Sequence, residues 1–264
     1  MIDRFETTAW VPTESRREAA ARCLHLLERR SGCGVLCGEP GCGKSIVLRR
    51  LVRRAARLTT RACYINLSNL DEAEFRWRLC AALRLAPITG ESRLASWTRL
   101  TDALDGAQAG RLSAAVLFDQ AESLRSEALP ELRRWLQLAA QQRRTVTILA
   151  TRSPIPESLA AVLTDFCDLR ADVYPLTASQ ALEFVQNWSE VEATAAPIGG
   201  EDAAATLHEL TRGEPRRLER LCRLAALAAD AESGAPLDRL ALEHLMRELT
   251  GAPSPRTPGV VPGT

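Results

Sequence analysis

Gly38-Glu39-Pro40-Gly41-Cys42-Gly43-Lys44-Ser45 is the stretch on which the reading of this chain turns. It has the form G-x-x-x-x-G-K-[ST], a loop whose chemistry suits phosphate. Glycines at 38, 41 and 43 let the backbone turn through conformations closed to other L-residues and bring amide N–H groups within reach of phosphate oxygens. The amides run on through Ile46 into a helix N-terminus, where the partial positive charge favours an anion. Gly38, Glu39, Pro40, Gly41, Cys42, Gly43, Lys44, Ser45 and Ile46 are therefore the candidate nucleotide-binding residues. Lys44 is expected to reach the β- and γ-phosphates of ATP, and the Ser45 hydroxyl to complete a Mg2+ shell. Lys44 is also the only lysine among the 34 Lys and Arg residues. A composition that uses arginine everywhere else and lysine here points to a need for a compact ammonium, where a planar guanidinium would not fit.

The motif needs a strand before it and a helix after it. Gly34-Val35-Leu36-Cys37 reads as a short buried strand, and Ile46 to Leu58 as an amphipathic helix. Beyond the loop, composition mainly excludes. A formal net charge of +1 gives no global pull toward nucleic acid or membranes, so any such contact needs a local patch. No apolar run approaches the roughly 18 residues of a membrane span, and no signal-peptide pattern opens the chain, so a cytoplasmic protein without a transmembrane segment is expected. Cys33, Cys37 and Cys42 cluster with no histidine nearby, which favours buried reduced thiols over a zinc site.

Strands and helices alternate through the first two thirds, and helices alone follow. Ser15-Arg16-Arg17-Glu18 reads as a capping box opening a helix to about Arg30. Strands are expected at 62–67, 114–119 and 145–150, with helices at 71–85, 94–104 and 129–142 between them. The near-continuous apolar run Ala114-Ala115-Val116-Leu117-Phe118 suits a parallel sheet covered on both faces by helices. From Leu176 onward the pattern is helical, over 178–188, 201–211, 215–229 and 237–249. The expected organisation is an α/β, three-layer αβα core with a parallel sheet over 1–175, a small all-helical lid over 176–250, and a Pro- and Gly-rich disordered tail over 251–264.

Asp119 ends the apolar strand 114–119 and is the candidate Mg2+ carboxylate, expected to lie beside the phosphate loop. The next residue is Gln120, which can orient a water but cannot take its proton; Glu122 lies two residues further and becomes the base if the turn bends it toward the γ-phosphate. In Gly213-Glu214-Pro215-Arg216-Arg217, Pro215 suits the first position of a helix. Arg216 and Arg217 then stand in its first turn, where the helix dipole disfavours cations, so a nearby anion is implied, with the γ-phosphate across a domain cleft as the candidate.

These segments together resemble AAA+ ATPases of the ExeA type, the general secretion pathway protein A group, close to origin-recognition and transposition-helper ATPases. The residues that carry the resemblance are the run 31–45, Leu117-Phe118-Asp119-Gln120-Ala121-Glu122, Pro175-Leu176-Thr177, and the segment 213–221. The resemblance implies ATP hydrolysis with Mg2+, a homo-oligomer, and remodelling of a protein partner. It further implies Arg216 as the lid's sensor arginine and a polar sensor at Thr151 or Arg152. An arginine finger acting on a neighbouring subunit's nucleotide is also implied, with Arg170 the best-placed candidate. Gln120 departs from the family's usual glutamate and makes slow hydrolysis, or a nucleotide-gated switch, the alternative.

One charge pattern suggests a different partner. Arg49, Arg50, Arg53, Arg54 and Arg57 fall within about 140° of arc on the helix after the loop. Such a stripe is able to bind the phosphates of DNA, as transposition helpers do, although a solvated face is the commoner meaning.

Overall fold

The computed structural model describes residues 11–192, 202–231 and 239–250. It divides into two compact units, one over Pro12–Tyr174 and the other comprising Val11 with the described residues from Pro175 onward. The expected tail over 251–264 lies outside the described residues.

The larger unit is a parallel sheet with helices on both faces. Its strands are β1 (Gly32–Gly38), β2 (Arg61–Asn66), β3 (Ala114–Asp119), β4 (Thr145–Arg152) and β5 (Leu169–Asp172), in the spatial order β2-β3-β4-β1-β5. All pairings are parallel. Burial follows position. The three inner strands are buried almost residue for residue, as sequences read only from apolar runs require, whereas the outer β2 and β5 bury only part of their length. Helices α1 (Glu14–Arg29) and α2 (Lys44–Leu58) cover one face, α1 over β1 and β5 and α2 over β2 and β3. On the other face lie α3 (Glu72–Ala82), α4 (Arg93–Ala109), α5 (Leu129–Gln141) and α6 (Glu157–Leu163).

One expectation is corrected here. The first helix is capped by Thr13, whose Oγ1 accepts from the Arg16 amide at 3.3 Å, and not by Ser15. Thr13 stands in the extended conformation an N-cap needs and follows Pro12, so the helix starts two residues earlier than the Ser15 box allows. Asp119 ends a buried strand as expected, and β4 is inserted between that strand and β1. Helix α6 has no counterpart in the sequence reading, being too short to show a period. In contrast, the capping box of α3 forms as its residues suggest, with Asp71 Oδ1 accepting from the Glu74 amide and Glu74 Oε2 from the Asp71 amide.

The core on the α3–α6 face is organised by aromatics. Phe118 stacks on Phe75 at 5.9 Å and meets Trp135 edge-on at 6.4 Å. Beside them Glu131 is fully buried on α5 and draws together three helices. It accepts from Trp97 Nε1 at 2.6 Å and pairs with Arg93 at 2.7 Å and Arg76 at 3.3 Å.

The smaller unit is helical, with α7 (Ala178–Glu192), α8 (Ala203–Thr211), α9 (Pro215–Ala231) and α10 (Arg239–Thr250). Val11, Phe184, Trp188, Leu207, Leu218 and Leu221 are among its buried residues. Gly213, at φ +67°, makes the turn into α9, and its Cα approaches the chain so closely that a Cβ would lie 2.0 Å from the Leu176 carbonyl oxygen. The Leu176 amide donates to Gly213 O at 2.8 Å across the same contact.

Because Glu131 is buried with cations as partners, removing it strands buried positive charge. Glu131→Ala should cost about 3 kcal/mol or more in urea unfolding, whereas Glu18→Ala, which breaks an exposed pair with Arg22, should cost under about 1 kcal/mol. Equal losses for the two would show that the Glu131 cluster does not hold these helices together.

Candidate nucleotide-binding site

The loop after β1 closes on itself. The Cys42 amide donates to Glu39 O at 3.3 Å, and the Ile46 amide to Gly43 O at 2.9 Å, so helix α2 starts directly out of the turn. Lys44 and Ser45 occupy its first positions, where backbone N–H groups have no carbonyl of their own helix to bond. Gly38 cannot carry a side chain, since a Cβ there would stand 2.3 Å from Val173 O and 2.7 Å from Cys42 Sγ. The Lys44 side chain is buried inside the loop, with its ammonium donating to Gly38 O at 2.9 Å and Glu39 O at 2.8 Å. Two carbonyls 2.8–2.9 Å from one nitrogen leave space for a compact ammonium and not for a planar fork.

A residue that the sequence reading used only as part of a cap supports the loop from behind. Arg16 on α1 is fully buried, and its Nη2 donates to Cys42 O at 3.0 Å. Burial pushes its pKa downward from the ordinary arginine value. Cys42 itself is a buried thiol, raised by desolvation and only partly brought back by Lys44, so the loop carries a neutral side chain at this position. Burial likewise pushes the Cys37 thiol up to about 11.

Three strand ends supply the remaining groups. Thr151 lies on β4 in register with Cys37, one position before Gly38, and is fully buried. Its Oγ1 has no hydrogen-bond partner within the structure, while the neighbouring Arg152 is exposed. Asp119, at the end of β3, is buried with a donor on each carboxylate oxygen: the Gln120 amide on Oδ1 at 3.0 Å and the Tyr64 hydroxyl on Oδ2 at 2.6 Å. Tyr64, on β2, escaped the sequence reading, because nothing in a strand pattern says which carboxylate a phenol will meet. Burial and the Asp119 carboxylate push its pKa upward. Gln120 adopts a left-handed backbone (φ 56°) and opens the short turn Ala121–Ser123 that carries Glu122. Glu122 Oε2 is buried and, like Thr151 Oγ1, has no partner within the structure.

The remaining candidates stand on other elements. Arg170 sits on the outer strand β5 in register with Val35, is half exposed, and pairs with Asp172 at 3.0 Å. Its backbone carbonyl accepts from Arg22. Arg216 is exposed in the first turn of α9, in the helical unit. Its neighbour Arg217 pairs with Glu214 at 3.0 Å, so the anion that the sequence implied for this pair is, for Arg217, a carboxylate three residues away. On α2, Arg50, Arg53, Arg54 and Arg57 are exposed and Arg49 is half-buried.

The donor set fits a magnesium-bound nucleotide. Mg2+ takes hard oxygen ligands, which the Ser45 hydroxyl and Asp119 carboxylate are, and each carboxylate oxygen keeps a lone pair beyond the one its donor occupies.

A parallel sheet with β4 between β1 and β3, a glycine-rich loop running into a helix, and a carboxylate at the end of β3 define the class as the P-loop nucleoside triphosphatases. Comparison with known proteins narrows this. Residues 27–159, just over half of the chain, match the AAA domain family model, and the chain belongs to that family. General secretion pathway protein A of Aeromonas hydrophila is 26% identical over 224 residues, which cover 83% of this chain and 41% of that protein. The chain thus spans about two fifths of that relative's length. Among solved structures, the Aeropyrum pernix Orc1 protein in complex with DNA superposes with a TM-score of 0.70 at 18% identity, covering 94% of this chain and 68% of that one. Cdc6p from Pyrobaculum aerophilum gives 0.65 at 16% identity, covering 88% and 66%. At these identities the structural matches establish the αβα fold with its helical C-terminal part. No helix among the described residues is long and apolar enough to cross a membrane.

Proposed function

We propose that this chain binds ATP with Mg2+ on residues 38–46 and couples binding and hydrolysis to its own assembly and to the remodelling of a protein partner. What supports the reading is that Thr151 and Asp119 stand at the carboxyl ends of the two strands next in spatial order after β1, which runs into the loop that holds the Lys44 ammonium. In this reading Lys44 binds the β- and γ-phosphates, Ser45 and Asp119 hold the metal, and the Thr151 hydroxyl donates toward the γ-phosphate. Mg2+ at that position supplies positive charge against the phosphate oxygens. The water-activating base is Glu122, for which the support is its buried, unpartnered Oε2; Gln120 orients the water through its amide. Arg216 and Arg170 keep the sensor and finger roles that the resemblance implies, and the exposed position of Arg170 on an outer strand suits a group offered to another copy of the chain. A second reading, a DNA-assembling helper, is favoured by the exposed arginines of α2; turnover raised by duplex DNA would support it.

Lys44→Ala removes the only ammonium in the loop. ATP affinity measured by calorimetry should fall at least tenfold, about 1.4 kcal/mol, and unchanged affinity would sink the nucleotide assignment.

If Glu122 takes the proton, Glu122→Gln should lower steady-state ATP turnover by roughly 100-fold or more, since general-base catalysis is worth about 10²–10⁴. Gln120→Glu should then change it little. The reverse pattern, with Gln120→Glu raising turnover about tenfold and Glu122→Gln without effect, would move the base to position 120 and make the natural protein a slow ATPase.

Sedimentation velocity tests the assembly. ATP should promote oligomers and ADP should not, and Arg170→Ala should keep ATP binding while losing the ATP-dependent species. Identical profiles in ATP, ADP and no nucleotide would count against self-assembly as the coupled event.

A further inference from the structure

We infer that Tyr64 is a positioning residue for the metal-bound nucleotide: its hydroxyl, held by Arg49 from α2, fixes the orientation in which Asp119 presents its carboxylate. The inference rests on Asp119 as the metal carboxylate. Tyr64 and Asp119 stand on neighbouring parallel strands, with Tyr64 paired to Leu117 and Asn66 to Asp119. Tyr64 is thus two residues short of Asp119 along the sheet, and residues two apart face the same side. Two residues span about 6.6 Å of strand, which the length of a tyrosine side chain bridges, so its hydroxyl arrives at Asp119 Oδ2 at 2.6 Å.

Helix α2 packs over β2 and β3 on one face of the sheet, and Arg49 hydrogen-bonds the same phenol oxygen. The hydroxyl therefore accepts from a cation and donates to an anion, an arrangement that strengthens both bonds. Arg49 lies four residues after Ser45 on the helix that begins in the phosphate loop. The relay Arg49–Tyr64–Asp119 thereby ties the loop's helix to the carboxylate of a strand two places removed in the sheet. Packing alone does not call for the hydroxyl, since phenylalanine would fill the same space. With the Gln120 amide on Oδ1 and Tyr64 on Oδ2, rotation of the Asp119 carboxylate is blocked on both sides. The lone pairs left over are the ones offered to the metal.

The test is a Mg2+ titration of the binding of a fluorescent ATP analogue, with a parallel measurement in EDTA, so that binding and not turnover is read. Tyr64→Phe should raise the Mg2+ concentration for half-maximal enhancement of affinity at least threefold, while affinity in EDTA and the thermal unfolding midpoint stay at parental values. Arg49→Gln should shift it in the same direction by less, and the double variant should match Tyr64→Phe alone, because Arg49 acts through the hydroxyl. A parental Mg2+ midpoint in Tyr64→Phe overturns the inference, and strictly additive shifts overturn the relay from Arg49. A parent that binds the analogue equally with and without Mg2+ overturns both this inference and the metal role of Asp119. A parent that binds no analogue overturns the nucleotide reading itself.

Discussion

The close passage of backbone at Gly38 is the constraint from which the site follows. Strand β1 is buried on both sides between β4 and β5, and its last residue lies so near the Val173 carbonyl and Cys42 Sγ that no side chain fits. With β1 pinned there, the chain has to turn within a few residues and start α2 directly above the sheet. That turn folds the loop around the Lys44 ammonium, which bonds two of its carbonyls, while Arg16 holds a third from α1. A cation inside and a cation behind make the loop a concentrated positive region in a chain with a net charge of only +1. Local arrangement, and not overall charge, makes this loop positive.

Legibility from sequence divided according to how local each cause is. The loop, the three inner strands and the helices with clear periods are written in runs of adjacent residues, and Ala114–Asp119 is found with the bounds expected. Strand order is not written that way. The insertion of β4 between β1 and β3 is a property of crossover connections, and it is what sets Thr151 beside Cys37, next to the loop, from a position 107 residues after Lys44. Tyr64 and Arg16 escaped for the same reason: each is an ordinary strand or helix residue until a partner from another element arrives. At the start of α9 the dipole argument asks for an anion, and for Arg217 a carboxylate, Glu214, stands within the same turn.

Polar groups in the core separate by whether the protein itself satisfies them. Glu131 has a tryptophan donor and two arginines, and Asp119 has a donor on each oxygen. Both are buried charges whose desolvation is offset internally. Such groups set geometry, Glu131 that of three helices and Asp119 that of one carboxylate.

Thr151 Oγ1 and Glu122 Oε2 are of the other kind. A buried polar atom without a partner costs about 1–3 kcal/mol, and the fold had inexpensive ways to avoid both. Valine at 151 would suit an inner strand whose other buried residues are apolar or β-branched, and a shorter residue at 122 would leave the turn Ala121–Ser123 intact. Neither atom stabilises its own surroundings. They stand on two elements that pack against each other, the turn after β3 and strand β4, and Thr151 is within one register position of the loop's first glycine. Thr151 Oγ1 and Glu122 Oε2 stand at the end of one inner strand and in the turn after another, where a ligand would supply the missing partners, whereas Gln142 Oε1, Trp188 Nε1 and Ser189 Oγ, buried without a partner elsewhere, have no such explanation.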